Sequence, residues 1–323
     1  MDSPPEMRFA HLSDWHATTL VGGGSALLGL KRLSGWASWR ISRRQHHSPT
    51  ILEAAFRDLH RQGINRILVT GDLTHVSLEQ EFRVAAEQLA RLGTPEEVFL
   101  IPGNHDCYVP VSHERSWDHW CAYLTGMSPD ELGADSGSYL TPPRGPQLAP
   151  RHEDYPTLRV EGGLAMIGLC SAIPTPIFRA GGRLGRRQLE RLENLLTLLR
   201  ERQLFRVVMV HHPIAATSES SRRALSDAED LRRVLERVGA ELVLHGHKHR
   251  RRIAMLKGPS GEIPVIGVPS TSEIGSRPDR RAQYHVYAVR PADSRSGFQI
   301  EADIRGFNSK SGEFESVDER LTF

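Results

Sequence analysis

The segment Ile67-Leu68-Val69-Thr70-Gly71-Asp72 decides how the rest of the chain is read. An apolar run of β-branched and aliphatic residues stops at a glycine, and a carboxylate follows at once. A buried parallel strand delivers an acidic side chain in this way to the carboxyl edge of a sheet, where open α/β sheets place their ligands. Taken alone, an aspartate after a strand reads as a turn residue or a helix cap. Asp72 rises above that reading because other strands of the chain also stop on metal-ligand residues.

Working outward, Arg8-Phe9-Ala10-His11-Leu12 reads as a first strand ending in Asp14-Trp15-His16. Alternate residues of an extended segment point the same way, so Asp14 and His16 can reach one point. Residues 97–101 form a short apolar strand that ends in Pro102-Gly103-Asn104-His105-Asp106. Residues 205–210 stop at His211-His212-Pro213, and 241–244 stop at His245-Gly246-His247-Lys248-His249. Helices are expected over 49–62, with Ser48 as N-cap, and over 77–92, with Ser77 and Gln80 as a capping box. Further helices fall at 186–202 and 227–238. The order β-α-β-α-β predicts a layered sheet with covering helices. A hairpin is expected around Gly162-Gly163, and the tail reads as β structure over 252–256, 263–268, 284–289 and 298–304. Two similar sheets are expected, one before Ala172 and one after.

Two stretches interrupt the alternation, at about 20–47 and 107–157. The first predicts a helix from Ser25 to about Arg44. Arg32, Trp36, Trp39 and Arg43 share one face, and Leu30, Leu33, Ala37 and Ile41 share another. A basic, tryptophan-containing helix suits an interfacial element that meets anionic lipid. It equally suits a lid whose tryptophans pack on the domain and whose arginines are solvated. The second stretch carries a helix near 113–124 and a loop rich in proline and glycine, as a functional lid would. Each insertion follows a ligand-bearing loop, so both are expected to overhang it.

The totals bound the class. The 323 residues allow a sizeable core, and the single domain is expected to run over 1–323. A net charge of +2 argues against bulk nucleic-acid binding. The 3 cysteines are widely spaced and suit a reducing, cytoplasmic setting rather than a disulfide framework. Residues 1–7 lack the apolar core of a secretory signal, and no apolar run has the length of a spanning helix.

Five strand ends therefore carry metal-ligand residues: Asp14 with His16, Asp72, Asn104 with His105, His211, and His247 with His249. Singly, His211 reads as a core histidine, His247-Lys248-His249 as a polar turn and Asn104 as a left-handed turn residue. As an ordered set they resemble the calcineurin-like metallophosphoesterase superfamily. That resemblance implies a four-layer α-β-β-α sandwich, an α/β fold, with the insertions as helical and loop lids. It also implies two metal sites. Asp14, His16 and His249 would hold the first metal, and Asn104, His211 and His247 the second, with Asp72 bridging. Oxygen and nitrogen donors without thiolate suit manganese, iron or zinc. Two such ions about 3.5–4 Å apart bind a shared hydroxide as nucleophile. By the same resemblance His105 contacts the phosphate and protonates the leaving group, and Asp106 orients it or a ligand.

The expected activity is hydrolysis of a phosphodiester or pyrophosphate in a nucleotide-containing or lipid-linked substrate. The chain is similar to the UDP-2,3-diacylglucosamine pyrophosphatase group, which would place it on the cytoplasmic face of a membrane as a peripheral protein. A soluble 3',5'-cyclic-nucleotide phosphodiesterase is the alternative, with Gly182-Arg183-Leu184-Gly185 as its slight signal. An inert binding protein on the same fold is the third reading, and the filled ligand positions speak against it. His212 and His245 are expected to point away from the metals, and His75 stands where many relatives carry Asp or Asn.

Overall fold

The computed structural model describes residues 6–22, 24–27, 29–41, 46–133, 139–215, 220–275, 278–292 and 297–323. In the first sheet, β1 (Met7–Leu12), β2 (Ile67–Val69) and β3 (Val98–Leu100) run parallel. On the other side of β1 lie β10 (Gln283–Pro291), β11 (Phe298–Asn308) and β12 (Glu313–Thr322), each antiparallel to its neighbour. The second sheet holds β4 (Thr157–Glu161), β5 (Leu164–Gly168), β6 (Phe205–Met209), β7 (Leu242–His245), β8 (Arg252–Gly258) and β9 (Gly261–Gly267), in the order β4-β5-β6-β7-β9-β8.

Side-chain parity builds the layers. Phe205, Val207 and Met209 of β6 join a core that also holds Phe9, Leu12, Ile67 and Val69 of the first sheet. Val208 and the adjacent Val210 point the other way, into a second core with Leu192, Leu195, Leu196 and Leu199. Those leucines belong to α6 (Arg186–Glu201), which covers the second sheet together with α7 (Ala228–Val238). The outer face of the first sheet is covered by α2 (Pro49–Arg61) and α3 (Glu79–Leu92), through Leu52, Phe56, Phe82 and Leu89. The result is the α-β-β-α sandwich. Each fully buried leucine contributes about 1.5–3 kcal/mol.

The boundary between the sheets does not fall at Ala172. β4 and β5 precede that residue yet pair with β6, while the last three strands return to β1. An antiparallel return needs no crossover helix, and it covers the edge that β1 would otherwise expose. β12 went unread because its apolar residues, Phe314, Val317 and Leu321, stand three and four positions apart and do not follow the two-residue period of a strand.

Local differences have local causes. α3 begins at Glu79, and Ser77 sits in left-handed conformation before it (φ 57°). The expected Ser77–Gln80 box gives way to Glu81, whose buried carboxylate accepts from the His75, Val76 and Leu78 amides at 2.6, 3.1 and 3.0 Å. Ser77 instead donates to the His105 carbonyl and accepts from the Tyr108 amide. The first insertion forms a 3-10 turn, Gly24–Leu27, and then α1 (Leu30–Ile41), so its helix starts later than expected. Trp39 packs with Leu20, Leu27, Val76 and Leu78, while Leu30 and Leu33 are 78% and 42% exposed. Arg32 is not solvated either, since it donates to the Val76 and Ser77 carbonyls at 3.2 and 2.6 Å. The indoles offer more area to bury than the leucines do, so they take the inner face.

The second insertion is a buttress. Its helical part is a series of short turns, ending in α4 (Cys121–Leu124) and followed by α5 (Pro129–Leu132). Trp117 donates to the Asp106 carbonyl and Trp120 to the Phe82 carbonyl, at 3.0 and 2.9 Å.

Candidate metal centre

The loops after β1, β2, β3, β6 and β7 converge at one edge of the sandwich. Five of their side chains stand on left-handed backbone: Asp14, His16, Asp72, His247 and His249, with φ between 42° and 70°. Each such residue costs about 1–2 kcal/mol against an ordinary conformation. Strain of this kind persists only where the surroundings fix it, and it gathers at functional sites. Here the Asp14 amide donates to the Gly71 carbonyl and the His16 amide to the Asp72 carbonyl, at 2.9 and 3.2 Å. The Asp14 carboxylate in turn accepts from the His247 amide at 2.9 Å. Gly71 (φ 84°) permits a close approach: a Cβ there would run into the Gly103 amide of the neighbouring loop.

Three groups have donor atoms within 4.8 Å of one another: Asp14, His16 and His249; His16, Asp72 and His105; Asp72, His211 and His247. Asp72 Oδ2 lies 3.7 Å from His16 Nε2 and 3.3 Å from His211 Nε2, at the centre of the array. Asp14 Oδ1 lies 3.4 Å from His249 Nε2. Asn104 Oδ1 lies 2.8 Å from His247 Nδ1 and 3.1 Å from His211 Nε2. All seven residues expected to hold metal thus meet in one place.

Backbone carbonyls orient the rings. His16 Nδ1 donates to the Thr74 carbonyl and His211 Nδ1 to the Thr70 carbonyl, both at 2.6 Å, which turns each Nε2 toward Asp72. The Glu273 carboxylate orients His249, with Oε2 3.2 Å from Nδ1, and turns its Nε2 toward Asp14. Outer partners of this kind fix tautomer and direction in metal sites. Burial holds the His16 and His247 imidazoles neutral, well below the ordinary range, as ligands must be. Burial opposes charge on His211 too, but the Asp72 carboxylate beside it prevails and raises it to about 9. His247 turns Nδ1 toward the array, 2.8 Å from Asn104 Oδ1. This set of buried carboxylate, amide and imidazole donors fits a pair of ions.

His105 donates from Nδ1 to the His75 carbonyl at 2.6 Å, and its ring meets His16 edge-on at 4.9 Å. Asp106 is almost fully buried. Its carboxylate accepts from the amides of Asp72, Leu73, Thr74 and Gly103 and from the Thr74 hydroxyl, at 2.7–3.2 Å. It therefore clamps the Asp72 loop to the Gly103 loop, and the orienting contact on His105 comes from His75. Burial and the Asp72 charge push the Asp106 carboxyl up to about 7, against the pull of the Gly103 and Thr74 amides.

The array opens into a cleft of about 460 Å³. His46 and His47 of the first insertion line it, and His47 Nδ1 lies 2.9 Å from Ser272 Oγ. None of the described residues of 107–157 lines it, so the overhang expected of the second insertion is not found in its described part. Of the four lid residues singled out, Trp39 reaches the His75 ring, 6.2 Å between centroids, and Arg32 and Trp36 belong to the packing of α1. Arg43 lies outside the described residues. His212 bonds Ser171 Oγ through Nδ1 at 2.7 Å, His245 bonds the Gly246 carbonyl at 3.0 Å, and neither belongs to a ligand group. Arg183 is exposed and does not line the cleft. Sequence reasoning missed His47 and Glu273, and it missed the basic lining of the mouth: Arg223, Lys248, Arg250, Arg252 and Arg280. The run Lys248-His249-Arg250-Arg251-Arg252 was the one signal that could have found part of it.

Fold and site together define a metal-dependent hydrolase of phosphoric esters. The model of the calcineurin-like phosphoesterases matches residues 7–251, and the chain belongs to that family, whose members use two metal ions. Among solved structures, a dimetal phosphatase from Danio rerio is similar at 14% identity and a TM-score of 0.55, covering 99% of both chains. An NAD nucleotidase from Haemophilus influenzae (12%, TM-score 0.49) is matched over 98% of this chain and 54% of its own. A 5'-nucleotidase precursor from Thermus thermophilus (16%, TM-score 0.44) is covered over the same shares. These likenesses concern the fold. No curated protein matches the chain by sequence. Among the described residues no helix is long and apolar enough to cross a membrane.

Proposed function

We propose that the chain hydrolyses a phosphodiester or pyrophosphate bond in a nucleotide-containing substrate. One observation carries this reading: apart from Ala180, every residue lining the cleft is polar or charged. Such a lining suits a phosphate-bearing polar molecule better than buried acyl chains. Asp14, His16 and His249 would hold one ion, Asn104, His211 and His247 the other, with Asp72 between them. Two ions so held supply charge stabilisation and a nucleophile for in-line displacement at phosphorus. The chain's own part is orientation and proton transfer. With Nδ1 committed to the His75 carbonyl, His105 offers Nε2 for a proton to the departing oxygen.

A lipid-linked substrate, as for UDP-2,3-diacylglucosamine pyrophosphatases, is the second reading. The exposed Leu30 and Leu33 on α1 favour it, because they offer an apolar face to a membrane surface. A soluble cyclic-nucleotide phosphodiesterase would need no such face. Hydrolysis of UDP-diacylglucosamine and of cyclic AMP by manganese-loaded protein, with and without vesicles, separates them. The nucleotide reading expects turnover of bis-p-nitrophenyl phosphate without lipid; absence of turnover at full metal occupancy would sink the enzyme reading for this site.

A further inference from the structure

The mouth of the cleft carries a second chemical feature beyond the metal ligands. Its lining holds five cationic side chains against two carboxylates, Asp72 and Glu273. Both carboxylates face histidines of the ligand array. The cations come from three separate segments: Lys248, Arg250 and Arg252 after β7, Arg280 from the 3-10 turn Pro278–Arg280, and Arg223 from the loop before α7. Arg250 Nε lies 3.7 Å from Asp279 Oδ2, which ties the first segment to the second. The Ala180 amide donates to the Arg222 carbonyl at 2.8 Å, which sets the third beside Ala180 on the same wall. The chain as a whole is near neutral at +2, so this concentration of charge is local.

One phosphoryl group over the ligand array does not need five more cations. We propose that these residues, led by Arg250, Arg252 and Arg280, form a second anion subsite. The substrate then carries a second phosphate beside the reacting one, as a nucleoside diphosphate ester does. This deepens the hydrolase reading above and rests on it. Guanidinium groups bind phosphate oxygens through paired N–H donors, and they keep their charge under all working conditions. A cleft of about 460 Å³ has the size of a small-molecule site. In the reaction, water adds one oxygen to the reacting phosphorus. The bridging P–O bond breaks with its electron pair on the leaving phosphate, and the protons of water end on the two product phosphates or in solvent. The arginines bind that phosphate before the bond breaks as well as after it.

The test compares manganese-loaded wild type with the combined variant Arg250→Gln, Arg252→Gln, Arg280→Gln. Substrates are UDP-glucose, with two phosphates, and bis-p-nitrophenyl phosphate, with one. The variant is expected to lose at least about tenfold more kcat/KM on UDP-glucose than on the monophosphate diester. Equal losses on both substrates, or none on UDP-glucose, would overturn the subsite. If neither substrate is turned over, the hydrolase reading fails, and calorimetry with inorganic pyrophosphate against inorganic phosphate still decides the subsite. Wild type should then prefer pyrophosphate and the variant should lose that preference; an unchanged preference refutes the proposal. Selective loss of binding to a short single-stranded DNA, with UDP-glucose unaffected, would give the mouth to nucleic acid instead.

Discussion

At the floor of the cleft, Asp14 and His211 are 0% exposed and Asp72 is 1% exposed, each on a loop bonded to its neighbours. At its mouth, Arg223, Arg252 and Arg280 stand in solvent on loops and a strand end. The floor residues have one geometry before any ligand arrives, held by carbonyls, glycine contacts and left-handed backbone. These three exposed arginines keep their rotamer freedom, and ordering each one costs up to about 2 kcal/mol. A rigid floor suits chemistry common to a family, because charge stabilisation works best from groups that need not move. A loose rim suits selectivity, because its side chains can change without disturbing the loops below.

The floor should break completely at one atom pair. Asp72→Ala removes the carboxylate shared by two of the three ligand groups. Hydrolysis should fall by at least about three orders of magnitude, and the content of both metals should drop, measured together by turnover and elemental analysis. Full metal content with full activity would rule out the bridging position. Asp106→Ala comes next. It leaves four backbone amides without their acceptor in a nearly closed space, while the Thr74 hydroxyl keeps the His105 carbonyl. Each unpaired buried donor costs about 1–3 kcal/mol, and partial relaxation should hold the total to about 3–5 kcal/mol. Chemical denaturation reads this directly. An unchanged midpoint would mean that the clamp contributes nothing and that the two loops are held otherwise.

The floor was legible in the sequence because each part of it is a short-range pattern. An apolar strand followed at once by Asp, Asn or His places a donor at the sheet edge whatever lies between strands. The same holds for α6, whose leucines repeat at helical spacing. The mouth was not legible, because Arg223, Arg250 and Arg280 meet only through loops distant in sequence, and arginine is common on any surface. The division into sheets failed for a related reason. The return of β10 to β1 joins residues 7 and 289, a pairing that no local period announces. The lid helix shows a third limit. Periodicity set Arg32, Trp36 and Trp39 on one face and Leu30 and Leu33 on another, yet it gave no means of knowing that Trp39 would turn inward and Leu30 outward.

Trp39→Ala tests the join between floor and lid. Trp39 is 6% exposed and packs with Val76 and Leu78, next to the His75 carbonyl that orients His105. Truncating a buried tryptophan costs about 3–5 kcal/mol where the site cannot collapse, less on a peripheral helix. The expected reading is a loosened α1, more rapid proteolysis within 29–41, and a fall in kcat of about tenfold or less as His105 loses support. If kcat holds while α1 is cleaved faster, the lid is independent of the floor.

The smallest expected effect sharpens the comparison most. Salt screens exposed charges over about 10 Å at 0.1 M and over about 3 Å at 1 M, while buried pairs are screened much less. Raising potassium chloride from about 0.05 M to 0.5 M should therefore weaken the mouth and spare the floor. For a diphosphate ester, KM should rise about three- to tenfold with kcat within about twofold, because attraction to the mouth is lost before chemistry begins. For a monophosphate diester both constants should move less, since fewer of its charges face the arginines. A fall in kcat with constant KM would reverse the assignment: the salt-sensitive charges would then act on the transition state, and the mouth would belong to the catalytic floor.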